Sequence, residues 1–295
     1  TLNVVDLLVD DDLTVTDDAS VGGDLDVDGT SNLDIIDVDG AANFAADVTF
    51  ADGADIITAS AGTSNFRAGV NAGNSIASDG NYNVVVGDEA GTALTTGDGN
   101  VAIGFEALST EDANGHNTAI GYQSLKTLNA GANSRNVAVG YQAGLDMTTG
   151  IRNVLMGTFA GANLVAGSNN TAFGEQALIT DRNGHHSTAL GHAALASQDF
   201  ATATDSNNTA VGYNAGLSVT TGTSNTLIGG QAGDAITTGG SNVALGTLAL
   251  SANTTASENT AVGYQAAYST TTGVSNSALG WRSFYTNTTG IQNVA

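Results

Sequence analysis

The chain has 295 residues, 29 acidic groups against six Lys and Arg, a formal net charge of −23, 39 Gly, and neither Pro nor Cys. So few cations exclude neutralisation of a run of phosphates, and with it nucleic acid as a partner; the lack of Cys excludes disulfide staples, thiol catalysis and thiolate metal sites. Hydrophobic residues make up 41% but aromatics only 5%, which predicts many thin layers and not one deep core. No apolar run approaches the roughly 18–20 residues of a membrane span, so membrane insertion is not expected. The chain opens at Thr1 without Met or a leader-like segment, and the expected natural start lies upstream.

Residues 1–60 hold 15 Asp and no Lys or Arg. Within them Leu13-Thr14-Val15, Leu25-Asp26-Val27 and Leu33-Asp34-Ile35 alternate apolar and polar residues, and Gly22-Gly23, Gly29, Gly40 and Gly53 break the pattern. This predicts short strands with Asp turned outward, an acidic β-shaft segment. Asp24-Leu25-Asp26-Val27-Asp28-Gly29 copies the first half of a calcium loop, in which alternate carboxylates converge on one ion and Gly permits the sharp turn. The twelfth position, which needs a bidentate Glu, is Ile35. The preferred reading of Asp24, Asp26 and Asp28 is a solvated strand face; weak Ca²⁺ binding between chains is the alternative, and no other cofactor is expected.

Residues 61–82 form a transition that contains a degenerate repeat, Asn65 to Gly69. Residues 83–295 are an internal repeat of the block Asn-x-Ala-(apolar)-Gly. Its glycines are Gly87, Gly104, Gly121, Gly140, Gly157, Gly174, Gly191, Gly212, Gly229, Gly246, Gly263 and Gly280, spaced 17 apart except for one interval of 19 and one of 21. A thirteenth block, Asn293-Val294-Ala295, is cut off, and the expectation is a natural chain that continues.

Each block alternates with period two. The residue three after Asn is large and apolar (Ile103, Ile120, Val139, Phe173), the one after Asn is Val, Thr or Ser, and between them lies Ala or, at three places, Val85, Leu155 or Leu227. Apolar groups on both faces predict a short strand covered on both sides. Gly ends it by a turn; three residues later Ala or Ser, followed by Gly or Leu, predicts a second short buried segment, and turns such as Thr148-Thr149-Gly150 close the repeat. A helix is excluded, because two or three Gly per repeat cost it about 1 kcal/mol each. The fold class is therefore all-β: a solenoid or β-roll of stacked repeats, twelve rungs at about 4.8 Å giving a rod roughly 55–60 Å long. The Ala face is smooth enough for another chain to approach, so a homotrimeric rod is expected over a monomeric solenoid.

The repeats Asn117-Thr118-Ala119-Ile120-Gly121-Tyr122-Gln123, Asn136-Val137-Ala138-Val139-Gly140-Tyr141-Gln142 and Asn259-Thr260-Ala261-Val262-Gly263-Tyr264-Gln265 resemble the "TAIGYQA" repeats of bacteriophage tail fibres. They are similar, more distantly, to the head repeats of trimeric autotransporter adhesins, whose repeat is usually shorter. The acidic segment is similar to the "L-x-V-x-G" shaft of phage fibres, which implies a thinner trimeric shaft there. The resemblance implies an extracellular trimeric fibre on a virion, with other tail proteins as partners, a separate tip that meets the host receptor, and no catalysis in the shaft. A bacterial cell-surface adhesin is the alternative. An ice-binding solenoid, prompted by Thr pairs at Thr95, Thr148, Thr220, Thr237, Thr271 and Thr288, needs Thr on nearly every rung and has it on too few.

Side chains with chemistry are sparse. His116 and His186 precede the block's first residue, a position that also takes Gly99, Arg135, Arg152, Asn169 and Ser224, which predicts an exposed turn. Tyr122, Tyr141, Tyr213, Tyr264, Phe105 and Trp281 follow the block Gly, but Asp88, Thr158, Glu175, His192, Gly230 and Thr247 interrupt that column, which favours cover of the neighbouring turn over a sugar-stacking groove. Asp88-Glu89 and Glu111-Asp112 lie in turns and lack the spaced partner that a glycosidase couple needs. No enzyme activity, catalytic residue or metal site is expected.

Overall fold

The computed structural model of the protein describes residues 61–131 and 133–295; the acidic segment 1–60, with Asp24, Asp26 and Asp28, lies outside them. Among the described residues there is no helix. Fifteen short strands occur: β1 (Phe66–Ala68), β2 (Val84–Val86), β3 (Val101–Ile103), β4 (Thr118–Ile120), β5 (Val137–Val139), β6 (Val154–Met156), β7 (Thr171–Phe173), β8 (Gly184–His185), β9 (Thr188–Leu190), β10 (Thr204–Asp205), β11 (Thr209–Val211), β12 (Thr226–Ile228), β13 (Val243–Leu245), β14 (Thr260–Val262) and β15 (Ser277–Leu279).

All but β8 and β10 form one parallel sheet in chain order, each strand bonded to the next. The register is one repeat throughout: Ala102 pairs with Ala119, and Ala119 with Ala138. The chain is thus a parallel β-solenoid in which every turn is one repeat. The degenerate block is a full turn, since Phe66–Ala68 pairs residue for residue with Val84–Val86. Three turns carry extra residues: one residue in the step from Phe66 to Val84, and more at the intervals of 19 and 21. The longer insertion adds β10, which pairs in parallel with β8 outside the main sheet.

The block glycines end the strands with φ between 122° and 139°. That region is costly for any residue with a Cβ, and a Cβ on Gly157 would lie 2.6 Å from the carbonyl carbon of Gly174 in the next turn. The remaining corners are left-handed even without glycine: Gln142, Leu125 and Arg152 have φ of 53°, 49° and 57°. The second buried segment is therefore a run of turns and not a strand, yet it bonds from turn to turn as a strand would, Leu125 N to Ala143 O at 3.0 Å and Gly144 N to Ala160 O at 3.0 Å.

The two strand faces are reversed from the expected arrangement. The Ala face is the interior of the coil, not a surface for another chain: Ala102, Ala119, Ala138, Ala172, Ala189 and Ala210 are fully buried against their own chain. The lumen is narrow, and one or two large side chains fill it in most turns. Where the strand centre is Ala102, Ala119, Ala172, Ala189 or Ala244, the opposite corner supplies Leu108, Leu125, Leu178, Leu195 or Leu250; where the strand supplies Val85, Leu155 or Leu227, that corner is Gly91, Gly161 or Gly233. Each buried Leu is worth about 1.5–3 kcal/mol relative to exposure. The large residues three after Asn point outward and stay half-buried or exposed, with Phe173 at 55%, Leu245 at 44% and Leu279 at 73%.

Candidate functional site

The block Asn, which sequence reasoning used only as a marker, is structural. Asn83, Asn100, Asn117, Asn136, Asn153 and Asn170 are buried and stacked. Each side-chain Oδ1 accepts the backbone N–H of the next one, as from Asn100 to Asn83 (2.8 Å) and from Asn153 to Asn136 (2.8 Å). Nδ2 donates to the carbonyl three residues before the next block, as Asn83 to Gly97 (2.8 Å) and Asn225 to Gly239 (3.0 Å), except at Asn117 before the shorter insertion, where it donates to Asn100 Oδ1 (3.2 Å). The ladder closes backbone groups that the turn before each strand leaves open.

One rung lacks the amide. Ser187 stands in the Asn column, and buried Gln198 bridges the gap: its Nε2 donates to Ser187 Oγ (2.8 Å) and its Oε1 accepts from Asn208 Nδ2 (2.8 Å). The same Nε2 donates to Asp181 Oδ2 at 2.6 Å. Asp181 is fully buried, and its Oδ1 accepts Gly184 N–H at 2.9 Å and Phe200 N–H at 3.4 Å. Glu111 is its counterpart beside the shorter insertion: fully buried, with Oε1 accepting from Asn114 N (3.1 Å) and Nδ2 (2.9 Å) and Oε2 accepting from Ala130 N (3.5 Å). Burial pushes both carboxyls above their ordinary range, the hydrogen bonds opposing it. The adjacent Asp112 is exposed and bonded to Ala113 N, so Glu111-Asp112 faces two ways and makes no carboxylate couple.

On the outside, Phe105, Tyr122 and Tyr141 stack with centroids 5.3 and 5.2 Å apart, and Phe159 caps the row edge-on at 5.3 Å. The ring faces are spent on one another, and edges point to solvent, which is the geometry of cover for the turns and not of a sugar platform. His192 stacks on Tyr213 in the same column at 5.5 Å. Beside them Glu106 accepts from Lys126 Nζ and Gln123 Nε2, each at 2.7 Å, which holds its carboxyl below the usual range. The first Thr hydroxyl at each of four closing turns is also spent: Thr95, Thr148, Thr220 and Thr237 donate to carbonyls of the next turn at 3.0–3.2 Å.

His116 and His186 sit in exposed left-handed turns with φ of 66° and 62°. His186 faces Asp205 at 3.2 Å, and His185 Nδ1 accepts Ser168 N–H at 2.9 Å. Among the described residues no three His, Asp or Glu gather into a group that could hold a metal ion, and no helix is long and apolar enough to cross a membrane.

The broadest feature of the surface is the outer sheet face. The first and third residues of the thirteen strands in the main sheet, from Phe66 to Leu279, include no charged side chain, in a chain of net charge −23. No protein-family model matches this sequence, and neither curated proteins nor solved structures give a significant match.

Proposed function

We propose that the chain is the structural shaft of an extracellular homotrimeric fibre, a phage tail fibre that holds a receptor-binding tip away from the particle, and that the shaft carries no catalysis. The observation that carries this reading is the uncharged stripe along the outer sheet face, apolar at the third position of every strand and Phe, Val, Thr or Ser at the first. Exposed Val154, Phe173, Val243, Leu245 and Leu279 lie on it, and an apolar strip of this length is a surface for association. Charge on the remaining surface disfavours burial of any other side. Three copies turned stripe-inward around a common axis would shield it. The repeat motif supports the fibre, and the engagement of the first Thr of the pairs within the coil, with Thr pairs on too few rungs, counts against ice binding. Sedimentation equilibrium of the chain at physiological salt tests the reading: a mass three times that of one chain is expected, and a stable monomer at micromolar concentration overturns it.

A further inference from the structure

Three turns exceed 17 residues, by one after the degenerate block and by two and four further on, and in the turn before each of the two larger excesses a carboxyl stands at the inner corner. Glu111 and Asp181 lie six residues before Asn117 and Ser187, where other turns carry Leu94, Met147, Leu164, Val219 or Ile236, or the uncharged polar Asn253 and Thr270, all fully buried. Each carboxyl accepts an amide three residues on in its own corner, Asn114 N or Gly184 N, and an amide at the start of the extra loop, Ala130 N or Phe200 N. Among the described residues neither has a cation within ion-pair distance.

We propose that Glu111 and Asp181 are proton-operated joints: each ties an enlarged turn to the coil beneath it, and uptake of a proton at the buried carboxyl removes an uncompensated buried charge from that joint, so the rod is firmer in mild acid than at neutral pH. The cause is the dry corner. An ionised carboxylate there has hydrogen bonds but no counter-charge, and desolvation of the anion outweighs what those bonds return. The folded-state titration lies above the unfolded one for both groups. Their contribution to stability is therefore fully present below the ordinary carboxylate range and is lost as pH rises through the raised value.

No surrounding cation touches either carboxyl. Arg182 turns outward to Asp199, with both of its contacts at 2.8 Å, and its attraction to Asp181 is the smallest influence on its own charge. His186 faces Asp205, and the Nδ1 of His185 is engaged by Ser168 N–H. Beside Glu111 stands Asp112, whose like charge opposes ionisation further. Protonation of His185 would act in the opposite sense, by removing the acceptor for Ser168 N–H, so the test must isolate the carboxyls.

The test compares wild type with the Glu111→Gln/Asp181→Asn double variant in the full chain, by denaturant unfolding from pH 4.5 to 7.5 at constant salt. Whatever the substitutions cost in packing, the pH slope of the difference belongs to the removed carboxyls. The ratio of variant to wild-type folding constants should rise on the order of tenfold or more across this range, each pH unit between folded and unfolded titration being a factor of ten per group. A flat ratio overturns the proposal. If the variant does not fold, carboxyl carbon NMR of the wild type decides: resonances of Glu111 and Asp181 titrating above the exposed carboxylates support it, and titration together with them overturns it.

Discussion

Leu155 occupies the space that a side chain on Gly161 would need: a Cβ built on Gly161 lies 2.8 Å from Leu155 Cδ2. The two residues face each other across the lumen of one turn, strand centre against corner. In the turns of Ala102 and Leu108, or Ala119 and Leu125, the same two places are held the other way round. Either side can thus supply the volume, and where both places are small, as at Ala138 with Gly144 and Ala210 with Gly216, the Leu residues of the neighbouring turns fill it.

Exchange of the two residues should show this. Leu155→Ala leaves a cavity and should cost about 2–5 kcal/mol. Gly161→Leu overpacks the lumen, about 1–3 kcal/mol, with a further 1–2 kcal/mol for a left-handed residue with a Cβ, a conformation that Leu108 and Leu125 hold at φ 51° and 49°. The double variant recreates the Ala102/Leu108 arrangement and should cost less than the sum of the single variants by about 2 kcal/mol or more, read from denaturant midpoints. The recovery will be partial, because Leu155 also fills space beside Gly144 of the preceding turn, where a Cβ would lie 2.9 Å from its Cδ1. Strict additivity would refute lumen sharing.

The repeat itself declares the turn length, the one-repeat register and the place of the block glycines, because backbone stacking imposes those on the sequence directly. Period-two alternation also shows two strand faces. It does not say which one turns inward, and Ala119 was expected to meet a second chain because small residues permit close approach. The lumen decides otherwise: with Leu125 opposite, only a small strand centre fits, so Ala goes in and Ile120 goes out. The burial of Glu111 and Asp181 is not legible in the local sequence, because a carboxylate in a polar turn reads as solvated. The available signal was their column, since stacking the repeats sets them under Leu94, Met147 and Leu164. The left-handed corners at Gln142 and Arg152 left no signal, neither being a residue that seeks that conformation.

The amide ladder predicts a second set of outcomes. Asn225→Ala deprives Asn242 N–H of its acceptor (3.0 Å) and Gly239 O of its donor (3.0 Å), both inside the coil. Two buried groups left open should cost about 2–4 kcal/mol in the same denaturant assay. Asn225→Ser should cost nearly as much, although Ser is natural at 187, because no counterpart of Gln198 stands beside it.

Gln198 therefore carries its own prediction. Gln198→Ala removes the donor to Asp181 and Ser187 and the acceptor for Asn208 Nδ2, and should destabilise at least as much as Asn225→Ala. Amide exchange should report where: Gly184, Phe200 and Thr209 should lose protection before amides of β3 or β4. Uniform loss across the rod would mean that the bridge is not local.

The last outcome separates the interior of the coil from its outer face, with neighbouring residues of one strand. Ala119 is fully buried and Ile120 is half-buried. Ala119→Leu forces volume into a lumen already filled by Leu125, so it should cost about 1–3 kcal/mol in a single chain and in an assembly alike, and Leu125→Ala should relieve it. Ile120→Asp changes nothing inside the coil. In a lone chain its carboxylate reaches water, and the melting curve should barely move. In a trimer associated through the outer face, the same carboxylate would be buried in triplicate beside Ile103 and Val139, unpaired and among like charges, at a cost of several kcal/mol. The expected result is dissociation to folded monomers, with the β-signature of circular dichroism retained and the sedimenting mass reduced threefold. If Ile120→Asp leaves a trimeric mass intact, the outer face is not where the chains meet; if the wild type and this variant are both monomeric, the rod is a single chain.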